Sequence, residues 1–220
     1  DVYKRQNIMS KAIVLGGSRG IGKAISDSLK AINIDVVATS QKDIDTSNLD
    51  SVKKFLEIHD ETDILILNTG GPEPKPFSTI SKEDWEKYHN QLFLAFCTIL
   101  QKIKVNDGGY IFLISSNVIK EPNSKLIISS AYRAAFSSVF KILSKEFASR
   151  NITMINIAPG PINTDRTKEL VDNVGEYADS LPMKRLGEPQ EIGNFVSSIV
   201  EKEIKYLSGA VINFDGANSK

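Results

Sequence analysis

Gly16-Gly17-Ser18-Arg19-Gly20-Ile21-Gly22 follows the apolar run Lys11-Ala12-Ile13-Val14-Leu15 and opens onto Lys23-Ala24-Ile25-Ser26-Asp27-Ser28-Leu29. The first run reads as a short buried strand and the last has helical spacing. A strand, a glycine turn and a helix start together make a phosphate cradle. Glycine lets the backbone approach a pyrophosphate closely, and the unpaired N–H groups and positive dipole of the helix start stabilise the anion. Two glycines in such a turn are common, so the weight lies on the matching context at both sides.

Outward from that turn, short apolar runs alternate with longer helical patterns. Strands are expected at 12–15, 35–39, 64–68, 110–115, 153–158 and 210–214. Helices are expected at 20–31, 48–59, 82–104, 125–150 and 189–201, with a further helical stretch at 167–178. This order specifies an α/β fold, a single-domain Rossmann-type doubly wound parallel sheet with helices on both faces. Ser40-Gln41-Lys42-Asp43-Ile44 leaves too little chain after the second strand for a full helix and strand. One βα unit is therefore abbreviated: it is either missing or reduced to a short strand near Ile44.

At 220 residues the chain suits one domain with a large core. Acidic and basic residues balance at 27 each, which gives no sign of a nucleic-acid or membrane surface. The single cysteine, Cys97, excludes a disulfide within the chain. No apolar run approaches a membrane span. Residues 1–8 lack signal-peptide character and read as a non-native or disordered leader before a natural start at Met9, with residues 9–220 forming the domain. A cytoplasmic protein is expected. His59 and His89 read as isolated surface residues and no metal site is expected.

Several segments resemble the short-chain dehydrogenase/reductase family, in particular its branch similar to 3-oxoacyl-carrier-protein reductases. Leu15 to Gly22 looks like the family's Thr-Gly-x-x-x-Gly-x-Gly, and Leu67-Asn68-Thr69-Gly70 looks like its Asn-Asn-Ala-Gly. Pro159-Gly160-Pro161-Ile162-Asn163-Thr164 resembles its Pro-Gly segment. Arg185-Leu186-Gly187-Glu188-Pro189 and Asp215-Gly216 resemble its C-terminal signatures.

The resemblance implies a cofactor site made of Gly16, Ser18, Arg19, Gly20, Ile21 and Gly22 around the pyrophosphate, with Asn68 and Gly70 below the adenosine ribose. It also implies Asp45 against the adenine, Pro159 and Gly160 at a strand-ending turn, and Ile162 and Thr164 at the nicotinamide. Relatives place an acid at the end of the second strand to hold the ribose 2′-hydroxyl. Here Ser40 stands there, followed by Gln41 and Lys42, so a 2′-phosphate held by Arg19, Ser40 and Lys42 is expected and NADP(H) is favoured over NAD(H).

The catalytic positions depart from the family. Its serine is present as Ser116, but Ser129 takes the tyrosine place, Arg133 the lysine place and Leu92 the asparagine place. Ser129 and Arg133 share a helix face at i,i+4, and Arg133 can bind ribose or stabilise an oxyanion without shuttling a proton. Tyr132 is either a substitute proton donor or a packing residue at a subunit contact. The expected activity is an NADP(H)-dependent carbonyl reduction, or the matching alcohol oxidation, on a small-molecule substrate beneath a lid at 163–185. The alternative is an inactive dinucleotide-binding module. The family's counterparts of 82–104 and 125–150 pair across a two-fold axis, which implies a homodimer or homotetramer.

Overall fold

The computed structural model describes residues 10–219. The leader assigned to residues 1–8 and the start at Met9 lie outside them. β1 (Lys11–Val14) buries Ala12, Ile13 and Val14 completely, as a central strand covered on both faces must. It leads through the glycine turn into α1 (Gly20–Ala31), β2 (Asp35–Ala38), α2 (Leu49–Leu56) and β3 (Glu61–Leu67). Then follow α3 (Lys82–His89), a five-residue π turn (Asn90–Leu94), α4 (Ala95–Lys102), β4 (Lys104–Ile114) and α5 (Ile127–Ala148). β5 (Thr153–Pro159), α6 (Asp165–Leu170), α7 (Val174–Ser180), α8 (Pro189–Glu201) and β6 (Val211–Phe214) complete the chain.

The six strands run parallel in the order β2-β1-β3-β4-β5-β6. Alternate strand residues point to opposite faces and build two cores. Ile13, Leu65, Ile111 and Met154 pack under Val52 of α2, Phe96 of α4 and Phe136 of α5. Val14, Ile66, Phe112 and Ile157 pack under Ile25 of α1 and Val196 of α8. The chain reverses direction across the sheet between β1 and β3, and that switch point opens a crevice at the carboxyl ends of the strands.

The abbreviated crossover is a missing βα unit. Among the described residues no strand forms near Ile44, which instead drops into the core at 5 % exposure. Three expected boundaries are corrected. The helix expected over 82–104 is broken by the π turn, because Leu92 turns into the core while Gln91 reaches the crevice. β4 starts at Lys104, the polar Asn106-Asp107-Gly108-Gly109 being accommodated by a register shift against β3. The helical stretch at 167–178 is two short helices, each started by its own capping side chain, Thr164 and Asn173. Among the described residues, no helix is long and apolar enough to cross a membrane.

Candidate functional site

The glycine turn is held rigidly. Gly16 adopts φ +59°, and its N–H donates to the Thr39 hydroxyl at 3.3 Å. Asn68, just past β3, donates to the carbonyls of Leu15 and Gly16 at 3.2 and 3.3 Å, tying the ends of β1 and β3 together. A Cβ on Gly22 would lie 2.0 Å from the Gly16 carbonyl oxygen, so only glycine allows the turn to close. Arg19 caps α1 with no side-chain bond to the helix N–H groups, and Ser18, Arg19 and Gly20 are exposed at the rim. Beyond β3, nothing stands within 4 Å of a Cβ built on Gly70. The cradle thus fits a pyrophosphate: no side chain caps the start of α1, and the approach is open.

The other expected cofactor residues gather at the same edge. Thr164 caps α6, and its methyl lies 3.5 Å from the Cβ place of Gly20, so the lid rests against the glycine turn. Ile162 is buried and bridges to Gly187. Pro159 ends β5, and Gly160 follows with no room for a side chain, Asp215 Cβ standing 2.6 Å from its Cβ place. Two positions carry more than the sequence suggests. Ser40 donates through both N–H and hydroxyl to the Asp43 carboxylate, each at 2.7 Å, so a carboxylate does face the place expected to be free of one. These Ser40 bonds hold the Asp43 carboxyl below its usual range. Asp45 is committed to the turn into α2 by Ser47, whose N–H and hydroxyl donate to it at 2.9 and 2.7 Å. Burial pushes the Asp45 carboxyl up, but the Ser47 and Gln41 bonds and the Lys87 ammonium outweigh it and leave it lowered.

At the end of β4, Arg133 joins Ser129 to the carbonyl of Ser115, the residue before Ser116. Arg133 is 8 % exposed. Its Nε donates to Ser129 Oγ at 3.2 Å, and its Nη1 to the carbonyls of Ile114 and Ser115, both at 3.1 Å. Its Nη2 donates to the Thr69 carbonyl at 3.3 Å. Burial first, then the Arg166 guanidinium, push its pKa down to about 10. A buried chain of hydrogen bonds, Ser115 to Asn156 to Ser137 to the Arg133 carbonyl, fixes α5 against β4 and β5. Ser116 caps a short 3-10 turn, accepting from Val118 N–H at 3.5 Å and donating to Asn117 Oδ1 at 3.3 Å.

Tyr132 is not at this centre, which corrects the expectation of a substitute proton donor. Its hydroxyl donates to the Trp85 carbonyl of α3 at 3.2 Å, and its ring packs on Trp85 and His89. Burial pushes its phenol above the ordinary value. His89 is likewise no free surface residue, being stacked on Phe93. The structure adds Gln91, whose Nε2 donates to the Gly70 carbonyl at 2.9 Å and to Thr69 Oγ1 at 3.4 Å. Counting on from Trp85 along an unbroken helix selects Leu92. The π turn turns that leucine into the core at 1 % exposure and brings Gln91 to the crevice.

Residues 45–217 match the family model described as enoyl-(acyl carrier protein) reductase. Among curated relatives, the NADPH-dependent reductase BacG of Bacillus subtilis is 29 % identical over 260 aligned positions, covering 96 % of this chain and 99 % of that protein. The 3-oxoacyl-[acyl-carrier-protein] reductase FabG of Aquifex aeolicus is 29 % identical over 236, covering 93 % and 95 %. Among solved structures, a blue fluorescent protein from a metagenomic library in complex with NADPH superposes with a TM-score of 0.85 at 26 % identity, covering 98 % and 100 %. With a glycine cradle, a six-stranded parallel sheet and a family match over most of its length, the chain belongs to the short-chain dehydrogenase/reductase family.

Proposed function

We propose that the protein is an NADP(H)-dependent oxidoreductase that reduces a small-molecule carbonyl, or oxidises the matching alcohol. The observation that carries this reading is the placement of Arg133. A buried guanidinium, bonded to Ser129 and to the carbonyls flanking β3 and β4, stands on the same sheet edge as an open glycine cradle. The coenzyme, when bound, supplies the hydride. Gly16 to Gly22 would hold its pyrophosphate, Arg19, Ser40 and Lys42 its 2′-phosphate, and Ile162 and Thr164 the nicotinamide end. BacG is named for its NADPH dependence and one similar structure contains NADPH, which supports the same coenzyme here.

Ser116 orients the carbonyl oxygen. Ser129 would hydrogen-bond that oxygen through a hydroxyl whose lone pair accepts from Arg133 Nε, and water supplies the proton that completes the alcohol. The Arg133 charge lowers the cost of the oxygen's developing negative charge. Holding the reactants together contributes about 7–11 kcal/mol, more than the roughly 3–5 kcal/mol of general acid catalysis, so a slow reaction survives on positioning without a side-chain acid. The inactive-module alternative finds no support, since the relatives are named as reductases.

A homodimer or homotetramer is part of the proposal, supported by exposed Ile142 on α5. Action in the cytoplasm is supported by the single, half-buried free cysteine. The test is NADPH consumption over a panel of ketones, oxoacyl thioesters and quinones, with Ser116→Ala as control. Turnover that falls in the variant sustains the reading, and coenzyme binding without turnover on any substrate removes it.

A further inference from the structure

Two guanidinium groups converge on consecutive residues of the loop after β3. Arg133 Nη2 lies 3.9 Å from the place a Cβ on Gly71 would take. Arg166, in the first turn of α6, crosses from the lid and donates through Nη2 to the carbonyl of Pro72. Pro72 is also a wall of a small groove shared with Ser129, Ile80 and Leu126. The Arg166 side chain therefore reaches the same loop residue that walls the groove beside Ser129.

The charges around this point do not balance. Four Arg133 hydrogen bonds go to neutral oxygens, and among the described residues no carboxylate bonds to it. Arg166 meets one carboxylate, Glu169, at 3.5 Å, and that side chain is mostly exposed. Two further acids lie close by: Asp84 holds Lys75 at 2.8 Å, and Glu73 lines the same groove within the field of that lysine. Lys125 adds a further cation to the groove. Arg133 is the buried one of the two, and a guanidinium taken from water without a counter-ion is costly, whereas Arg166 stays 34 % exposed beside Glu169. Burial first, and the Arg166 guanidinium second, lower the pKa of Arg133.

We propose that Arg166 receives a carboxylate of the substrate, so that the enzyme acts on carbonyl compounds bearing an acid group in preference to neutral ones. This rests on the reductase reading above and names the substrate class of that site. A planar guanidinium matches a carboxylate in two parallel hydrogen bonds, and the contact to the neutral Pro72 carbonyl is one a ligand carboxylate replaces at a gain. The coenzyme's phosphates share this anionic chemistry. They belong to the cradle at Gly16–Gly22, whereas Arg166 touches the loop beside Ser129.

The experiment uses the NADPH-loaded protein. Affinities for 4-phenylbutanoate and for 4-phenylbutanamide are measured by calorimetry, in the wild type and in Arg166→Gln and Arg166→Lys, with thermal melts for folding and separate NADPH titrations. The wild type is expected to bind the carboxylate at least about 10-fold more tightly than the amide. Arg166→Gln erases that preference, Arg166→Lys keeps part of it, and NADPH affinity stays the same in both. Equal wild-type affinity for the two probes, or binding of neither, overturns the proposal. So does an Arg166→Gln variant that loses NADPH affinity, since the anion is then the coenzyme's phosphate. Because the wild-type comparison needs no variant, a misfolded variant leaves the proposal open to refutation. Carboxylate preference without turnover on any carbonyl removes the reductase reading and sustains the anion site. Turnover of neutral ketones alone, with no carboxylate preference, sustains the reductase reading and removes the site.

Discussion

Arg133 Nε donates to Ser129 Oγ at 3.2 Å, one helical turn away on α5. The bond orients the serine as well as the arginine, since the serine oxygen accepts from a cation. Ser129→Ala is expected to lower kcat by about 10²-fold. NADPH affinity is unaffected, because the phosphate cradle lies on another loop. Steady-state rates and a coenzyme titration on the same preparation check both halves.

Arg133 also has a structural task, since it satisfies three backbone carbonyls that end β3 and β4. Arg133→Ala is expected to destabilise the fold by about 2–4 kcal/mol, and Arg133→Lys by less, because an ammonium keeps the charge but has three donors. Its pKa of about 10 leaves it cationic at neutral pH. Turnover is therefore insensitive to this group below about pH 9 and falls as pH rises through about 10, where the oxyanion loses its counter-charge. Burial has lowered the pKa of a cation, so stability does not fall with activity there: losing the proton relieves the buried charge. Parallel pH profiles of rate and melting temperature separate the two effects.

Tyr132→Phe serves as the contrast. The hydroxyl lost is the one bonded to the Trp85 carbonyl, so stability drops by about 1 kcal/mol while turnover is unchanged. A large fall in turnover with the fold intact places the phenol in the reaction and refutes the arrangement described for Ser129.

What was legible in the sequence and what was not follows from the range of the interactions. That position 22 must be glycine is legible because the constraint is local: the oxygen that excludes a side chain belongs to Gly16, six residues back. The start of α8 reads correctly for the same reason, with Pro189 in the first turn and Glu188 and Glu191 closing a capping box. Gln91 is hidden because Asn90–Leu94 keeps helical spacing, and only packing against the core widens it to a π turn. Arg166 reaches a carbonyl 94 positions earlier in the chain, and no spacing rule spans that distance. Asp43 lies close to Ser40 in sequence, yet its part emerges only from the turn that directs its carboxylate back.

Gly22→Ala tests the cradle. With the Gly16 carbonyl oxygen 2.0 Å from the new methyl group, the turn must open and shift Asn68 with it. Coenzyme binding is expected to fall by at least about 10²-fold, with a destabilisation of about 1–3 kcal/mol from overpacking. Calorimetric titration and a denaturant melt read the two quantities.

Asp43→Asn tests the choice of coenzyme. The asparagine keeps an acceptor for the Ser40 N–H while removing a negative charge that would meet a 2′-phosphate held at Ser40. Since Asp43 is held below its usual range, it stays a carboxylate throughout the neutral region. The variant is expected to bind NADPH about 3–10-fold more tightly at low salt, with NADH nearly unchanged. Equal gains for both coenzymes would mean that Ser40 and Asp43 lie away from the 2′ position.

Glu191 sets a pH limit on the lid. Its carboxylate accepts from Arg185 Nη1 and Nη2 at 2.8 and 2.9 Å and from the Glu188 N–H at 2.7 Å, joining the end of the lid to α8. The Arg185 bonds, and then the Glu188 amide, hold its pKa at about 2, below the ordinary 4.5. For a carboxylate so depressed, the stabilisation is complete above about pH 4.5 and disappears as pH falls toward 2, because the unfolded chain takes up the proton first. The pair is well exposed, so water screens it and the effect is small. Glu191→Gln is expected to lower the melting temperature by roughly 2 °C at pH 7, with the difference from wild type vanishing near pH 2. A constant difference across that range would mean that the glutamine loses packing or helix capping, and that the charge contributes nothing.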